Sequence, residues 1–250
     1  MRLQALFFAG VAPERLANWY SRPPRRSTRE ALVVMARVPS DRRGKSRLTR
    51  DLGGDHLELR RALLLDTLDA ASVADADLFV ACEPADAIAE MRGLVGDGAR
   101  LFPQQGDTLG DRMHNAFGHL FAAGYSTVVM IGSDLPSLPT SHVAQAFQGL
   151  RDRPDALVMG PATDGGYYLI GLRRLCPALF TSIPLSTADV LTATASIAET
   201  CGLTVSFVPP WHDVDTVDDL RRVLRDPHGA TQTRAWVAAH GDLAVRDSMS

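Results

Sequence analysis

"VVMIGSDLPSLP", residues 128–139, is an apolar run that ends in Gly-Ser-Asp and is followed by two prolines. A run without polar alternation reads as a strand buried on both faces, which belongs to a sheet covered by helices on both sides. Pro136 and Pro139 stiffen the turn and start the next helix. Asp134 therefore stands at the tip of a buried strand. It either caps the turn or the following helix, or offers hard carboxylate oxygens to a divalent cation.

Outward from this strand the chain alternates. "ALVVMA" (31–36), "DLFVAC" (77–82), "STVVMI" (126–131), "DALVMG" (155–160), "YYLIGL" (167–172) and "LTVSFVP" (203–209) read as strands. Helical spacing covers 55–72, 85–94, 107–124, 141–150, 187–202 and 217–226. In the third of these, Leu109, Met113, Ala116, Phe117 and Leu120 share one face. The pattern predicts an α/β fold, a three-layer α/β/α sandwich around a mostly parallel sheet. Ligands of such sheets bind at the carboxyl ends of the strands. Residues 1–29, with "SRPPRRSTRE", read as a flexible Arg/Pro-rich extension, 30–226 as the domain, and 227–250 as a helical tail.

Composition narrows the function classes. The 250 residues are 46% hydrophobic and 22% charged, enough for a sizeable core, and the net charge of -3 gives no field that draws nucleic acid. No apolar run reaches the roughly 18 residues of a membrane span. "LQALFFAGVA" near the start lacks a basic leader and a small-residue cleavage site. Cys82, Cys176 and Cys201 form no CxxC pair, so a reducing cytoplasm is the expected location. There is no HExxH, no G-x-S-x-G and no P-loop spacing.

Three further stretches can carry chemistry. "RVPSDRRGKSRL" (37–48) puts Arg37, Arg42, Arg43, Lys45 and Arg47 around Gly44 after the first strand, a place suited to phosphates. Its alternative is a solvated basic loop. "GPATDGGYYLIGL" (160–172) brings Asp164, Gly165 and Gly166 ahead of a strand, either for close approach to a ligand or as a plain Asp-Gly hairpin turn. "WHDVDTVDDL" (211–220) crowds four carboxylates; Asp218 and Asp219 suit the first turn of a helix. Asp213 and Asp215 precede that helix, within reach of a metal, and His212 beside them is the one histidine with a candidate role. The calcium-loop pattern fails, because its sixth and twelfth places counted from Asp213 are Asp218 and Leu224.

"VVMARVP…KSRL", "GDTLGDRM", "VVMIGSDLPSLP", "ALVMGPATDGGYYLIGL" and "DVDTVDDL", in this order, resemble the DUF2064 group of the GT-A, or nucleotide-diphospho-sugar transferase, superfamily. Its members are commonly called glycosyltransferases of the radical-SAM/selenodomain-associated kind. Molybdenum-cofactor, phospholactate and phosphoenolpyruvate guanylyltransferases are more distant members of the superfamily. The resemblance covers about residues 31–225. It implies that Asp134 and Asp215, with Asp213 as an alternative, hold Mg²⁺ or Mn²⁺. It implies that Lys45 and Arg47, with Arg37, Pro39, Gly44, Gly132 and Ser133, face the nucleotide phosphates. Asp164, Gly165, Gly166 and Tyr167 would face the donor sugar or acceptor, and Asp134, Lys45 and Asp164 would carry catalysis. The loop departs from the family's P-x-x-G-x-x-K-T-R-L: glycine stands at 44, Arg42 in its usual place, and Ser46 replaces Thr.

The expected activity is metal-dependent glycosyl transfer from a nucleotide-sugar to a small acceptor. Nucleotidyl transfer from an NTP to a small phosphorylated or hydroxy-acid acceptor, releasing pyrophosphate, is the alternative. A catalytically silent nucleotide-binding module is the third. The expected partners are small molecules rather than nucleic acid or membrane, with a homodimer as a candidate assembly.

Overall fold

Strand β1 (Glu30–Arg37) shows why the sheet is buried on both faces. Leu32 and Val34 join one cluster of core side chains, and Ala31 and Val33 join another. Strand β4 (Thr127–Ile131) repeats the division, with Val129 and Ile131 in the first cluster and Val128 and Met130 in the second. Successive side chains of a strand point to opposite faces, so two apolar faces need two helical layers.

The computed structural model describes residues 29–41, 46–54, 56–72, 74–181 and 189–240. The other strands are β2 (Asp77–Glu83), β3 (Arg100–Pro103), β5 (Ala156–Pro161), β6 (Tyr167–Leu172) and β7 (Thr204–Phe207). The order across the sheet is β3-β2-β1-β4-β6-β5-β7. Every pairing is parallel except those of β6 with β4 and β5. Only residues 162–166 join β5 to β6, too few for a crossover, so β6 must run antiparallel. The "GPATDGG" stretch is thus a hairpin turn, with a bulge at Gly160/Pro161. A Cβ at Gly160 would collide with the Tyr168 ring.

Helices α1 (Ser46–Asp51), α2 (Leu57–Ser72), α3 (Ile88–Val95), α4 (Leu109–Ala122) and α5 (Thr140–Asp152) precede β5. Helices α6 (Ala178–Thr181), α7 (Val190–Thr200), α8 (Val217–Arg225) and α9 (Thr231–Ala239) follow β6. Leu64 and Leu68 of α2, Met91 of α3 and Val143 and Phe147 of α5 cover one face. Met113, Phe117 and Leu120 of α4, Phe180 of α6 and Ala198 of α7 cover the other. Burying a side chain of this size contributes about 1.5–3 kcal/mol. The result is the three-layer sandwich expected from the sequence.

The sequence reading missed β3, α1 and α6. Of the tail expected over 227–250, the described part holds α9, which packs on the domain, and residues 241–250 lie outside the described residues. A third cluster joins Leu48 of α1, Leu52 just after it, Leu59 and Leu63 of α2, and Leu220 of α8 to Trp236 and Val237 of α9. The expected extension 1–29 lies outside the described residues apart from Arg29, whose carbonyl accepts the Ser126 amide at 2.8 Å. Among the described residues no helix is long and apolar enough to cross a membrane.

Candidate active site at the carboxyl edge of the sheet

Beyond β4 the chain is held from behind by one buried hydroxyl. Thr67 of α2 is fully buried. Its Oγ1 accepts the Leu135 amide at 2.9 Å and lies 3.0 Å from the Ser133 carbonyl and 2.9 Å from the Leu63 carbonyl. A hydroxyl has a single proton, so it donates to one of those carbonyls at a time. Thr67 therefore grips the residues on both sides of Asp134. Val214 adds a third hold, donating its amide to the Asp134 carbonyl at 3.0 Å, and Gly132 donates to the Tyr168 carbonyl at 3.3 Å. Ala230 donates to the Pro136 carbonyl at 3.1 Å. The neighbouring Asp66 caps α9, accepting the Gln232 amide at 2.9 Å and the Thr233 amide at 2.7 Å.

The turn from β5 to β6 is held by its own residues. Ala162 donates to the Gly166 carbonyl at 3.0 Å, Gly165 to the Ala162 carbonyl at 3.3 Å, and Asp164 Oδ1 accepts the Gly166 amide at 3.1 Å. Gly165 has φ +93°, a backbone state that side-chain-bearing residues rarely adopt. The start of α7 closes against it, Leu191 donating to the Gly165 carbonyl at 3.2 Å. After β7 the chain runs beside this turn, with Trp211 donating to the Pro161 carbonyl at 3.0 Å, and so delivers Asp213.

These segments enclose a cleft of about 240 Å³. Gly132, Ser133 and Asp134 form one rim; Ala162, Asp164, Gly166 and Tyr167 form the other; Asp213 lies on the margin as well. Met35 of β1, Met130 of β4, Ile170 of β6, Leu109 and Met113 of α4 and Val190 of α7 form the floor. A second hollow, about 460 Å³, lies between α2, Pro136–Ser141 and Asp226–Thr231, and none of the sequence-predicted site residues lines it.

The structure thus gathers Asp134, Gly132, Ser133, Asp164, Gly166 and Tyr167 at one site, with Gly165 in the supporting turn. Of the two candidate second carboxylates, Asp213 lines the cleft and Asp215 does not. Asp215 instead faces Arg47, another predicted phosphate ligand, at 3.4 Å. Arg47 is well exposed, so this pair contributes little to stability. Arg37 is not in the cleft lining: it bridges Glu83 of β2 at 2.8 Å and Asp41 at 3.7 Å. Pro39 is buried in the turn after β1. Lys45 and Gly44 lie outside the described residues. Asp219 caps α8 through a reciprocal box with Thr216, and Asp218 bridges Arg221 at 2.8 Å, as their position in the first turn implies. His212 is outside the cleft lining, against the Trp211 ring at 4.9 Å, and burial lowers its pKa.

Residues missed by the sequence reading are Thr67 and the cleft floor. "GDTLGDRM" carried a signal for the floor. Thr108 and Asp111 form a capping box, which starts α4 so that Leu109 and Met113 face the cleft. Arg112 of the same stretch reaches Glu83 at 2.6 Å. Leu109, which shares a helical face with Met113, Phe117 and Leu120, is 51% exposed and lines the cleft.

Among the described residues no group of three or more His, Cys, Asp or Glu is placed to hold a metal by itself. Asp134 and Asp213 on one cleft form a hard-oxygen pair. Carboxylate oxygens are the donors that Mg²⁺ and Mn²⁺ take, and an ion held by only two of them would need further ligands from outside the protein.

A family profile described as "Uncharacterized protein conserved in bacteria (DUF2064)" matches residues 52–187. The chain belongs to the DUF2064 family. A crystal structure from Desulfovibrio desulfuricans G20, provisionally named a nucleotide-diphospho-sugar transferase, is 31% identical to it. That match covers 87% of this chain and 97% of the other, with a TM-score of 0.78. Two more distant structures share the fold at a TM-score of 0.51. One is a cytidylyltransferase from Leptospira borgpetersenii, 11% identical over 89% of this chain and 99% of that one. The other is a nucleotidyl transferase from Methanothermobacter thermautotroptrophicus, 14% identical over 78% and 95%. No curated protein matches the chain. This DUF2064 chain therefore has the fold shared by nucleotide-diphospho-sugar transferases and nucleotidyltransferases.

Proposed function

We propose that the protein is a metal-dependent transferase that takes a nucleotide-diphospho-sugar as donor and passes the sugar to a small acceptor. The observation that carries this reading is the meeting of Asp134, Asp213 and the Asp164 turn on one cleft at the carboxyl edge. The name of the 31% identical relative supports the donor class.

Asp134 and Asp213 would hold Mg²⁺ or Mn²⁺, which when bound neutralises charge on the donor diphosphate. Arg47, with Lys45, holds the remaining phosphate charge. The acceptor hydroxyl oxygen bonds to the anomeric carbon. The bond from that carbon to the diphosphate oxygen breaks, and its electron pair leaves with the nucleoside diphosphate. Asp164, on the same cleft as Asp134, takes the acceptor proton. Thr67 keeps Asp134 in place, which matters because positioning and charge stabilisation are the main work of such a site. The three free thiols suit the cytoplasm as the place of work.

The second reading is nucleotidyl transfer to a small phosphorylated or hydroxy-acid acceptor. It is favoured by the basic stretch 37–48, which suits a triphosphate. Product analysis separates the readings. The full chain is incubated with Mn²⁺, nucleotide-sugars or NTPs, and a mixed acceptor pool. Release of nucleoside diphosphate with a new glycoside supports glycosyl transfer. Pyrophosphate release replaces it with nucleotidyl transfer. Neither product, together with no nucleotide-induced rise in melting temperature, leaves a silent fold and ends both enzyme readings.

A further inference from the structure

We infer that the acceptor is an alcohol with an apolar body, alkyl or aryl, rather than a free sugar or a phosphorylated acid; this rests on the transferase reading above. The polar lining of the cleft, Ser133, Asp134, Asp164 and Asp213, is exposed or half-buried, whereas most of its apolar lining is buried. Carboxylates sit on the margins, while the floor is built from Met35, Met130, Ile170, Met113, Leu109 and Val190, drawn from five different elements. Leu109 extends this floor to the mouth and is one of three large apolar side chains exposed among the described residues. Its exposure is not needed for packing α4, whose core face is made by Met113, Phe117 and Leu120.

A sugar or phospho-acid lying on this floor would lose water from its hydroxyl or phosphate oxygens without gaining hydrogen bonds, and that cost is large for charged groups. An alkyl or aryl body gains by the same contact. Methionine side chains are flexible and polarisable, so three of them adapt to chains of different shape. The acceptor hydroxyl then lies toward the rim that carries Asp164, whose carboxylate takes its proton and opposes a phosphate in that place. The bond changes are those of the transfer above: alcohol oxygen to anomeric carbon, electron pair to the nucleoside diphosphate, proton to Asp164.

The test uses the full chain with ¹³C-methyl methionine and titrates 1-butanol, 1-hexanol and 1-octanol, with and without Mn²⁺ and nucleotide-sugar. The methyl signals of Met35, Met113 and Met130 should move, and those of Met91 and Met159, outside the cleft lining, should not. Affinity should rise about fourfold per methylene, the factor for about 0.8 kcal/mol per buried CH₂. With the donor present, mass spectrometry should find the alkyl glycoside. Leu109→Glu, at a site exposed enough to spare the fold, should weaken octanol at least tenfold.

A flat alcohol series overturns the inference, as does 2-phospholactate or glucose moving the same methyl signals more tightly than octanol. Movement of those signals by nucleotide alone, with Leu109→Glu weakening the nucleotide, would make the floor a seat for the donor. If no nucleotide binds at all, the transferase reading fails on its own. Alcohol binding would then describe an apolar hollow and overturn the acceptor role.

Discussion

The two rims of the cleft are rigid for opposite reasons. The Asp134 rim is gripped from outside, by the Thr67 hydroxyl from α2 and by the Val214 amide from the far end of the chain. The Asp164 rim is held from within, by a turn whose amides and carboxylate satisfy one another and whose Gly165 takes a left-handed φ. On the proposed reading Asp134 works with a metal and must sit in one place, which distant packing elements can fix, whereas the Asp164 rim receives acceptors and needs only a defined turn. Damage to the first rim should therefore reach catalysis from remote positions, while damage to the second should stay local.

The largest effect is expected at the first rim itself. Asp134→Asn should lower turnover by about 10²-fold or more, roughly 3 kcal/mol of transition-state stabilisation, with an unchanged circular dichroism spectrum. Retained turnover would remove Asp134 from the mechanism.

The packing of α4, which carries two of the floor residues, can be tested by pH. His119 of α4 is buried against Phe102, at 4.4 Å between rings, and burial lowers its pKa from 6.5 to about 4. Between those values the unfolded chain binds more protons than the folded one. The stability contribution is therefore complete above pH 6.5 and is lost as pH falls to 4. The loss is at most about 3 kcal/mol. Melting curves of His119→Gln should be flatter than wild type across that window; parallel curves would exclude His119 as the cause.

Thr67→Val should come next. It leaves the Leu135 amide buried and unpaired, a cost of about 1–3 kcal/mol, and frees the residues flanking Asp134. kcat should fall about tenfold with little change in nucleotide affinity, and Thr67→Ser should restore it. Loss of stability with normal kcat would reduce Thr67 to a packing residue. The smallest effect is at the second rim: Gly165→Ala should cost about 1 kcal/mol of backbone strain, a few degrees of melting temperature. It should raise the acceptor KM severalfold and leave kcat alone. A large fall in kcat there would erase the contrast between the rims.

What the sequence disclosed follows the same division. The Asp164 turn was legible because its logic is local: Asp, Gly and Gly lie side by side in the chain. Asp134 was legible because it ends an apolar run. Thr67 was not, since a threonine within a helical pattern carries no sign of a partner in the Ser133–Leu135 loop. Asp213 and Asp215 could not be ranked from spacing alone; the contact of Trp211 with Pro161 and of Val214 with Asp134 decides which of them lines the cleft. Strand β3 escaped notice because it is four residues long and contains Arg100 and Pro103. Its Arg100 is held at 2.7 Å from the Tyr125 hydroxyl and 3.3 Å from Asp77, partners set by the fold.

The hold of Val214 and Ala230 on the Ser133–Pro136 region has a consequence for how the protein is made. A growing chain that has released β4 already contains Asp134, but the two amides that fasten its loop belong to residues synthesised roughly eighty and a hundred positions later. Until they emerge from the ribosome, the Asp134 rim lacks those partners. A half-made chain would therefore not yet hold Asp134 in place, so on the proposed reading activity should begin only after residue 230 has emerged.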